Sequence, residues 1–317
     1  MPVKEAIALQ TALYRKVLRL MGNRFEISVV WKDEAEAMQK IEKAVAEIQR
    51  IEKLLTTYNE ESQTSLVNRN AGIRPVQVDR EMFELVKRSL RISALTQGAF
   101  DITYGSVDKR LWNFDKTMTA LPDAETARKS VHLINYKNVI LDEASSSIFL
   151  AKEGMRIGFG GIGKGYAAER AKAVLIAEGV SSGIVNAAGD LTAWGYQPDG
   201  KEWTIGIADP NAARSPFSYM SVSNMAVATS GNYEKYIQID GKKYSHTIDP
   251  KTGLPVSGIK SVTIICPNAE IADAMATPVT IMGITAGLNM INQVKGIGCI
   301  VIDDNDKVFT SKNIHLT

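Results

Sequence analysis

Three groups of residues have types and spacings from which chemistry can be built. The first is the run Gly158, Phe159, Gly160, Gly161, Ile162, Gly163, Lys164, Gly165. Glycines let backbone groups come close to a ligand, and the N-terminus of a helix that follows them favours an anion such as phosphate. Lys164 adds a positive charge at that mouth. The order is not that of a P-loop and the run is not claimed as a dinucleotide motif, so it reads as a ligand-binding loop or as a tight strand-to-helix turn. The second group is Asp273 and Thr277, four residues apart and therefore on one face of a helix. A carboxylate and a hydroxyl so placed suit a hard cation, with positions left for water and phosphate oxygens. An aspartate early in a helix also serves the helix dipole, which is the structural alternative. The third is the stretch from Tyr244 to Pro250, followed by Thr252, Gly253 and Pro255. It sets His246 at a strand end before a Pro/Gly turn, where an imidazole is placed to move a proton. The other two histidines lie in a polar connection (His132) and near the C-terminus (His315). His246 is thus the candidate acid or base, with a satisfied structural histidine as its alternative.

Weaker local signals are Met21-Gly22-Asn23, Thr57-Tyr58 with Ser62, Ser65, Leu66 and Asn68, and the stretch from Gly98 to Thr103. On its own, Tyr58 reads as a boundary aromatic and Phe100 as a core residue.

The elements that must position these groups follow from periodicity. Residues 25 to 31 alternate as a strand, and Asp33 caps a long helix whose Met38, Ile41, Val45, Ile48 and Leu55 fall at helical spacing. A second helix runs from about Asp79 to Thr96, with Gly98 suited to the left-handed residue that closes it. Strands are expected at 138–141 and 147–151, then the glycine run feeding a helix to about Glu178. Beyond it the pattern is mainly β, at 183–187, 203–208, 218–229, 233–239 and 260–266, with Asp240-Gly241 marking a hairpin. Helices near 269–282 and 285–294 and strands near 298–303 and 307–310 complete the chain. Without strict alternation this is an α+β architecture of two intimately joined subdomains.

Composition bounds the rest. Hydrophobic residues make up 45% and charged residues 23%, as in folded domains. The net charge of +2 gives no basic footprint for nucleic acid or a membrane surface. No run approaches the roughly 18 apolar residues of a spanning helix. Lys4, Glu5, Arg15, Lys16 and Arg19 interrupt any signal-like apolar stretch in the sequence as it stands. Cys266 and Cys299 lack a CxxC-type neighbour and read as buried free thiols.

Seven runs, in order, resemble the FAD:protein FMN transferase family, also known as ApbE. They are MGN (21–23), TTY (56–58), GAFDITYG (98–105), GGIGKGYAAERA (160–171), NAAGD (186–190), SHTIDPKTGLPV (245–256) and ADAMAT (272–277). The likeness extends over about residues 20 to 310. It implies an ApbE-like fold of mixed β-sheets flanked by helices, with one domain over 20–312 and an N-terminal extension over 1–19. It further implies FAD contacts at Met21, Tyr58, Ala99, Phe100, Asp101, Lys164 and Ile248. The magnesium ligands it implies are Asp273, Thr277 and the carbonyl of Gly161, and His246 matches the general base. The implied reaction cuts the FAD pyrophosphate, attaches FMN through a phosphoester to a threonine or serine of an acceptor flavoprotein, and releases AMP.

Departures from the family pattern are Gly158, where an aspartate is usual, Asn23 in place of threonine, and Ala187-Ala188 in place of Leu-Gly. They put FAD affinity or donor choice in question. Two other readings remain open: an FAD pyrophosphatase using water, against which a bulky Tyr58 over the flavin would act, and a non-catalytic FAD-binding protein. Relatives are often periplasmic or lipid-anchored. The expectation here is an exported mature form, or a cytoplasmic one if residue 1 is the natural start.

Overall fold

The computed structural model describes residues 11–111, 120–208, 216–231, 236–239 and 241–314. Residues 1–10, Asp240 and His315 lie outside the described residues. An eight-stranded sheet forms the frame, built from β1 (Ala12–Leu20), β2 (Asn23–Trp31), β6 (Gly183–Ala187), β7 (Asp190–Trp194), β10 (Met225–Gly231), β13 (Ile259–Cys266), β14 (Gly298–Asp303) and β15 (Val308–Thr310). Its strands lie in chain order and every neighbour is antiparallel. A smaller sheet joins β3 (Val76–Gln77), β5 (Ser147–Leu150) and β4 (Val139–Asp142). Two ribbons complete the strands, β8 (Trp203–Ala208) with β9 (Pro216–Val222) and β11 (Tyr236–Ile239) with β12 (Lys242–Ser245).

Helices cover one face of the large sheet: α1 (Glu34–Leu55), α5 (Gly163–Ala177), α6 (Ala269–Met282) and α7 (Ile284–Ile291). The remaining helices are α2 (Gln63–Arg69), α3 (Arg80–Leu95) and α4 (Ala124–Ser130). The sequence dictates this layering. Phe25, Ile27 and Val29 alternate along β2 and are fully buried against Ile41, Ile48 and Ile51 of α1 and Ala167, Ala168 and Ala171 of α5. Asp33 caps α1 as expected, accepting from the Glu36 amide at 2.8 Å. On the opposite face the β8–β9 ribbon seals a second cluster, Leu191, Ala193, Trp203, Ile205, Val222, Val227 and Ile265. Strand β7 is therefore buried on both sides, which places its first residue, Asp190, deep in the molecule.

The α+β architecture stands, and α6 and β14 have the expected bounds. Three local differences have physical causes. The expected strand over 218–229 is two strands, broken where Asn224 takes a left-handed φ of 56°. The sheet begins before residue 20, because all nine residues of β1 pair with β2. Helix α3 closes with Gln97, not Gly98, as its first left-handed residue (φ 52°), while the Gly98 amide reaches back to the Ser93 carbonyl at 2.7 Å. Cys266 and Cys299 are buried free thiols, pushed up by burial to about 11 and about 12. No helix among the described residues is long and apolar enough to cross a membrane.

Candidate active site

The site is built where α5 crosses α6. Both helices carry small residues at the crossing, and Gly165 is obligatory there. A Cβ at that position would sit 2.1 Å from the Ala269 carbonyl oxygen and 2.7 Å from the Asp273 Cβ. The close approach lets each helix cap the other. A carboxylate oxygen of Asp273 on α6 accepts from the Gly165 amide at 2.9 Å, and Glu169 on α5 accepts from the Ala269 amide at 2.7 Å. Asp273 thus uses the dipole at the start of α5, not that of its own helix. At the helix start expected to favour an anion such as phosphate, the Gly165 amide is engaged by a protein carboxylate.

Lys164, the adjacent residue, extends to the buried Asp190 and forms a part-buried ion pair. The β6–β7 hairpin delivers that partner. Ala187 pairs with Asp190 across a two-residue turn in which Ala188 (φ 56°) and Gly189 (φ 99°) are both left-handed. Two carboxylates and one ammonium therefore share a desolvated space. Burial, reinforced by the charge of Asp190, pushes the Asp273 carboxyl up to about 7 against the pull of Lys164 and the α5 amides. Burial also raises Asp190, with the Lys164 charge opposing it. For Lys164, burial disfavours the ammonium, yet Asp190 and Asp273 together raise it and keep it protonated. Asp190 was missed as a site residue. Its signal was the Gly-Asp turn of the NAAGD run, which locates the residue but not its partner.

Other expected site residues converge on the glycine run. Met21 and Gly22 form the tip of the β1–β2 hairpin, both left-handed (φ 49° and 72°), and φ above zero in a methionine is uncommon. That turn brings the Met21 methyl to 3.7 Å from the point a Gly163 Cβ would occupy. The Phe100 ring lies 3.5 Å from the corresponding point at Gly161. Ala99 is buried beside it. The Asp101 carboxylate is buried and engaged: it accepts from the Thr103 amide (2.8 Å), the Thr103 hydroxyl (2.7 Å) and the Tyr136 amide (2.9 Å). Burial still raises its pKa, so its visible work is to pin the 98–105 segment. Gly158 donates to the Ile102 carbonyl at 3.0 Å and faces open space where a side chain would stand.

Tyr58 stands apart, 97% exposed. It lines a cleft of about 460 Å³ with Thr57, Ser65, Asn68, Arg69 and Arg156. Asn68 ties this cleft to the glycine run, because its amide bonds both backbone groups of Ile157 (2.7 and 3.1 Å) just before Gly158.

His246 is the exposed residue after β12, as the strand-end reading expected. The loop that follows is rigid. Ser245 donates to the Val256 carbonyl at 2.9 Å, Asp249 to that of Leu254 at 2.9 Å, and Gly253 (φ 71°) packs so closely on Ala127 that no side chain fits. Ile248 is buried, and its amide donates at 3.0 Å to the Tyr104 hydroxyl, joining the loop to the 98–105 segment.

The ApbE family model matches residues 21–301. The chain belongs to that family. It is similar to an FAD:protein FMN transferase of Klebsiella pneumoniae strain 342, 32% identical over 294 residues that cover 92% of this chain and 90% of the relative. Another such transferase, of Treponema pallidum, is 30% identical and covers 88% and 81%. Among solved structures it resembles the ApbE protein of Thermotoga maritima, with TM-score 0.84, 30% identity and 95% and 97% of the chains covered. The apo flavinyl transferase ApbE of Pseudomonas stutzeri superposes with TM-score 0.83 at 26% identity, covering 96% of each chain. As an ApbE protein the chain is a transferase.

The ApbE chain's donor set suits a hard cation. Asp273 is a buried carboxylate and Thr277 lies one turn on; its hydroxyl makes no hydrogen bond among the described residues. The Gly161 carbonyl accepts no backbone bond among them, since the Gly165 amide that a longer helix would offer goes to Asp273. Pro278, inside α6, has no amide hydrogen to offer the Ala274 carbonyl. No three His, Cys, Asp or Glu side chains among the described residues could hold a metal. A cation here would need hydroxyl, carbonyl and ligand oxygens, the preference of Mg²⁺. Both carboxylates act on the one Lys164 ammonium, and a cation beside Asp273 would supply a second positive charge.

Proposed function

We propose that this ApbE protein is a Mg²⁺-dependent FAD:protein FMN transferase. The observation that carries the reading is the buried Asp273 carboxylate, fixed by the start of α5 beside the Lys164–Asp190 ion pair. Asp273, Thr277 and the Gly161 carbonyl would hold Mg²⁺, which when bound neutralises charge growing on the pyrophosphate oxygens.

The chain's own residues do the remainder. Lys164 binds and orients the anionic substrate, and Met21 and Phe100 bracket the run it approaches. Tyr58, on the open cleft, offers a ring against which the flavin stacks. His246 accepts the proton of a serine or threonine hydroxyl on the acceptor protein at a ring nitrogen as that oxygen attacks the FMN phosphorus. A new phosphoester P–O bond forms, the P–O bond to AMP breaks, and AMP leaves.

One observation favours a second reading. With its ring 97% exposed, Tyr58 shields nothing until flavin covers it, so water can reach the same phosphorus and yield FMN and AMP. The test is AMP release from FAD with and without acceptor protein. The transferase requires acceptor-stimulated release that a chelator abolishes and that Asp273→Ala lowers at least about a hundredfold. Wild-type rates from Asp273→Ala would refute the site, and FAD left intact under every condition would make the protein a binder.

A further inference from the structure

The ion pair between Lys164 and Asp190 holds a cation off a neighbouring anion. Lys164 directly precedes Gly165, whose amide binds Asp273, so its side chain starts beside that carboxylate. Yet the ammonium pairs with Asp190 and makes no ion pair with Asp273. Asp190 can compete because its hairpin is rigid: its backbone is fixed by the Ala187 pairing and its position is sealed by β7, buried on both faces. An ammonium released from Asp190 would have one anion left within the cluster, Asp273.

We propose that Asp190 is a positioning residue that tethers Lys164 and so keeps Asp273 open to a divalent cation. The inference rests on the reading of Asp273 as a metal ligand. Without the tether, Lys164 folds onto Asp273, satisfies its charge and competes with the metal. A merely structural ion pair would affect stability alone.

The test is a double-mutant cycle read by Mn²⁺ binding to the full chain without FAD, using electron paramagnetic resonance, with thermal melting as the control for folding. Asp190→Asn weakens Mn²⁺ binding by about tenfold or more, the effect of roughly 1.4 kcal/mol of competing charge. In a Lys164→Met background the same change has no further effect, because the competitor is gone. Equal losses in both backgrounds would mean that Asp190 acts directly, and they overturn the tether, as does unchanged binding in Asp190→Asn. If Asp190→Asn does not fold, Asp190→Glu, which displaces the carboxylate by one methylene, takes its place with the same expectations. A wild-type chain that binds no Mn²⁺ overturns the metal-site reading itself and the tether with it, whereas the other two failures leave that reading intact.

Discussion

Gly165→Ala tests whether the helix crossing sets the active geometry. The added Cβ would lie 2.1 Å from the Ala269 carbonyl oxygen, about 1.3 Å short of ordinary van der Waals contact, and both it and its 2.7 Å contact with Asp273 Cβ lie on packed helices. No flexible side-chain end can yield, so α5 and α6 must part by about 1 Å. Overpacking of this kind costs about 1–3 kcal/mol, a drop of several degrees in melting temperature. The functional cost is larger. Parting the helices stretches the 2.9 Å bond that fixes Asp273, and a misplacement of about 1 Å at a reacting centre costs about a hundredfold in rate. The assay pairs differential scanning fluorimetry with AMP release from FAD in the presence of acceptor. A variant melting at the wild-type temperature and turning over within about twofold of it would refute the crossing as the device that places Asp273.

Three further outcomes follow from the same geometry. His246→Gln, at an exposed bend, should lower turnover by about 10²–10⁴ while moving the melting temperature by less than about 2 °C; a large loss of stability would instead mark the imidazole as structural. Asp273 sits at about 7 in the metal-free chain and must lose its proton to bind a cation, so Mn²⁺ affinity should fall about tenfold per pH unit below 7 and level off above it. Titrating Mn²⁺ at pH 5.5, 6.5 and 8 checks the sign, and affinity independent of pH would contradict it. Asn68→Ala leaves both backbone groups of Ile157 without their partner, which should cost about 1–3 kcal/mol and raise the KM for FAD, measured by chemical denaturation and initial rates.

Much of the frame was legible because local rules fix it. Alternation at Phe25, Ile27 and Val29 and helical spacing through α1 each bury one face whatever the rest of the chain does. The turn residues also spoke locally, as with Gly241 between β11 and β12. Strand β1 escaped because it is an edge strand with apolar residues on both faces: Tyr14, Leu18 and Leu20 pack inward around Lys16, while Leu13 and Val17 are half exposed, which blurs the alternation. At the site, residue types were legible and partners were not. The start of α5 attracts an anion, but that its Gly165 amide goes to Asp273 is decided by a contact spanning 108 residues. Lys164 could have faced a ligand alone; only the β6–β7 hairpin reveals Asp190 beside it. Asp101 shows the opposite case, a carboxylate whose oxygens are engaged by Thr103 and Tyr136.

The most direct measurement is the intact mass of an acceptor flavoprotein incubated with this chain, FAD and Mg²⁺, with the modified residue located by peptide fragmentation. The account predicts FMN in phosphoester linkage on one serine or threonine, formed with the wild-type chain and absent with Asp273→Ala or excess chelator. AMP release that leaves the acceptor at its original mass would contradict it.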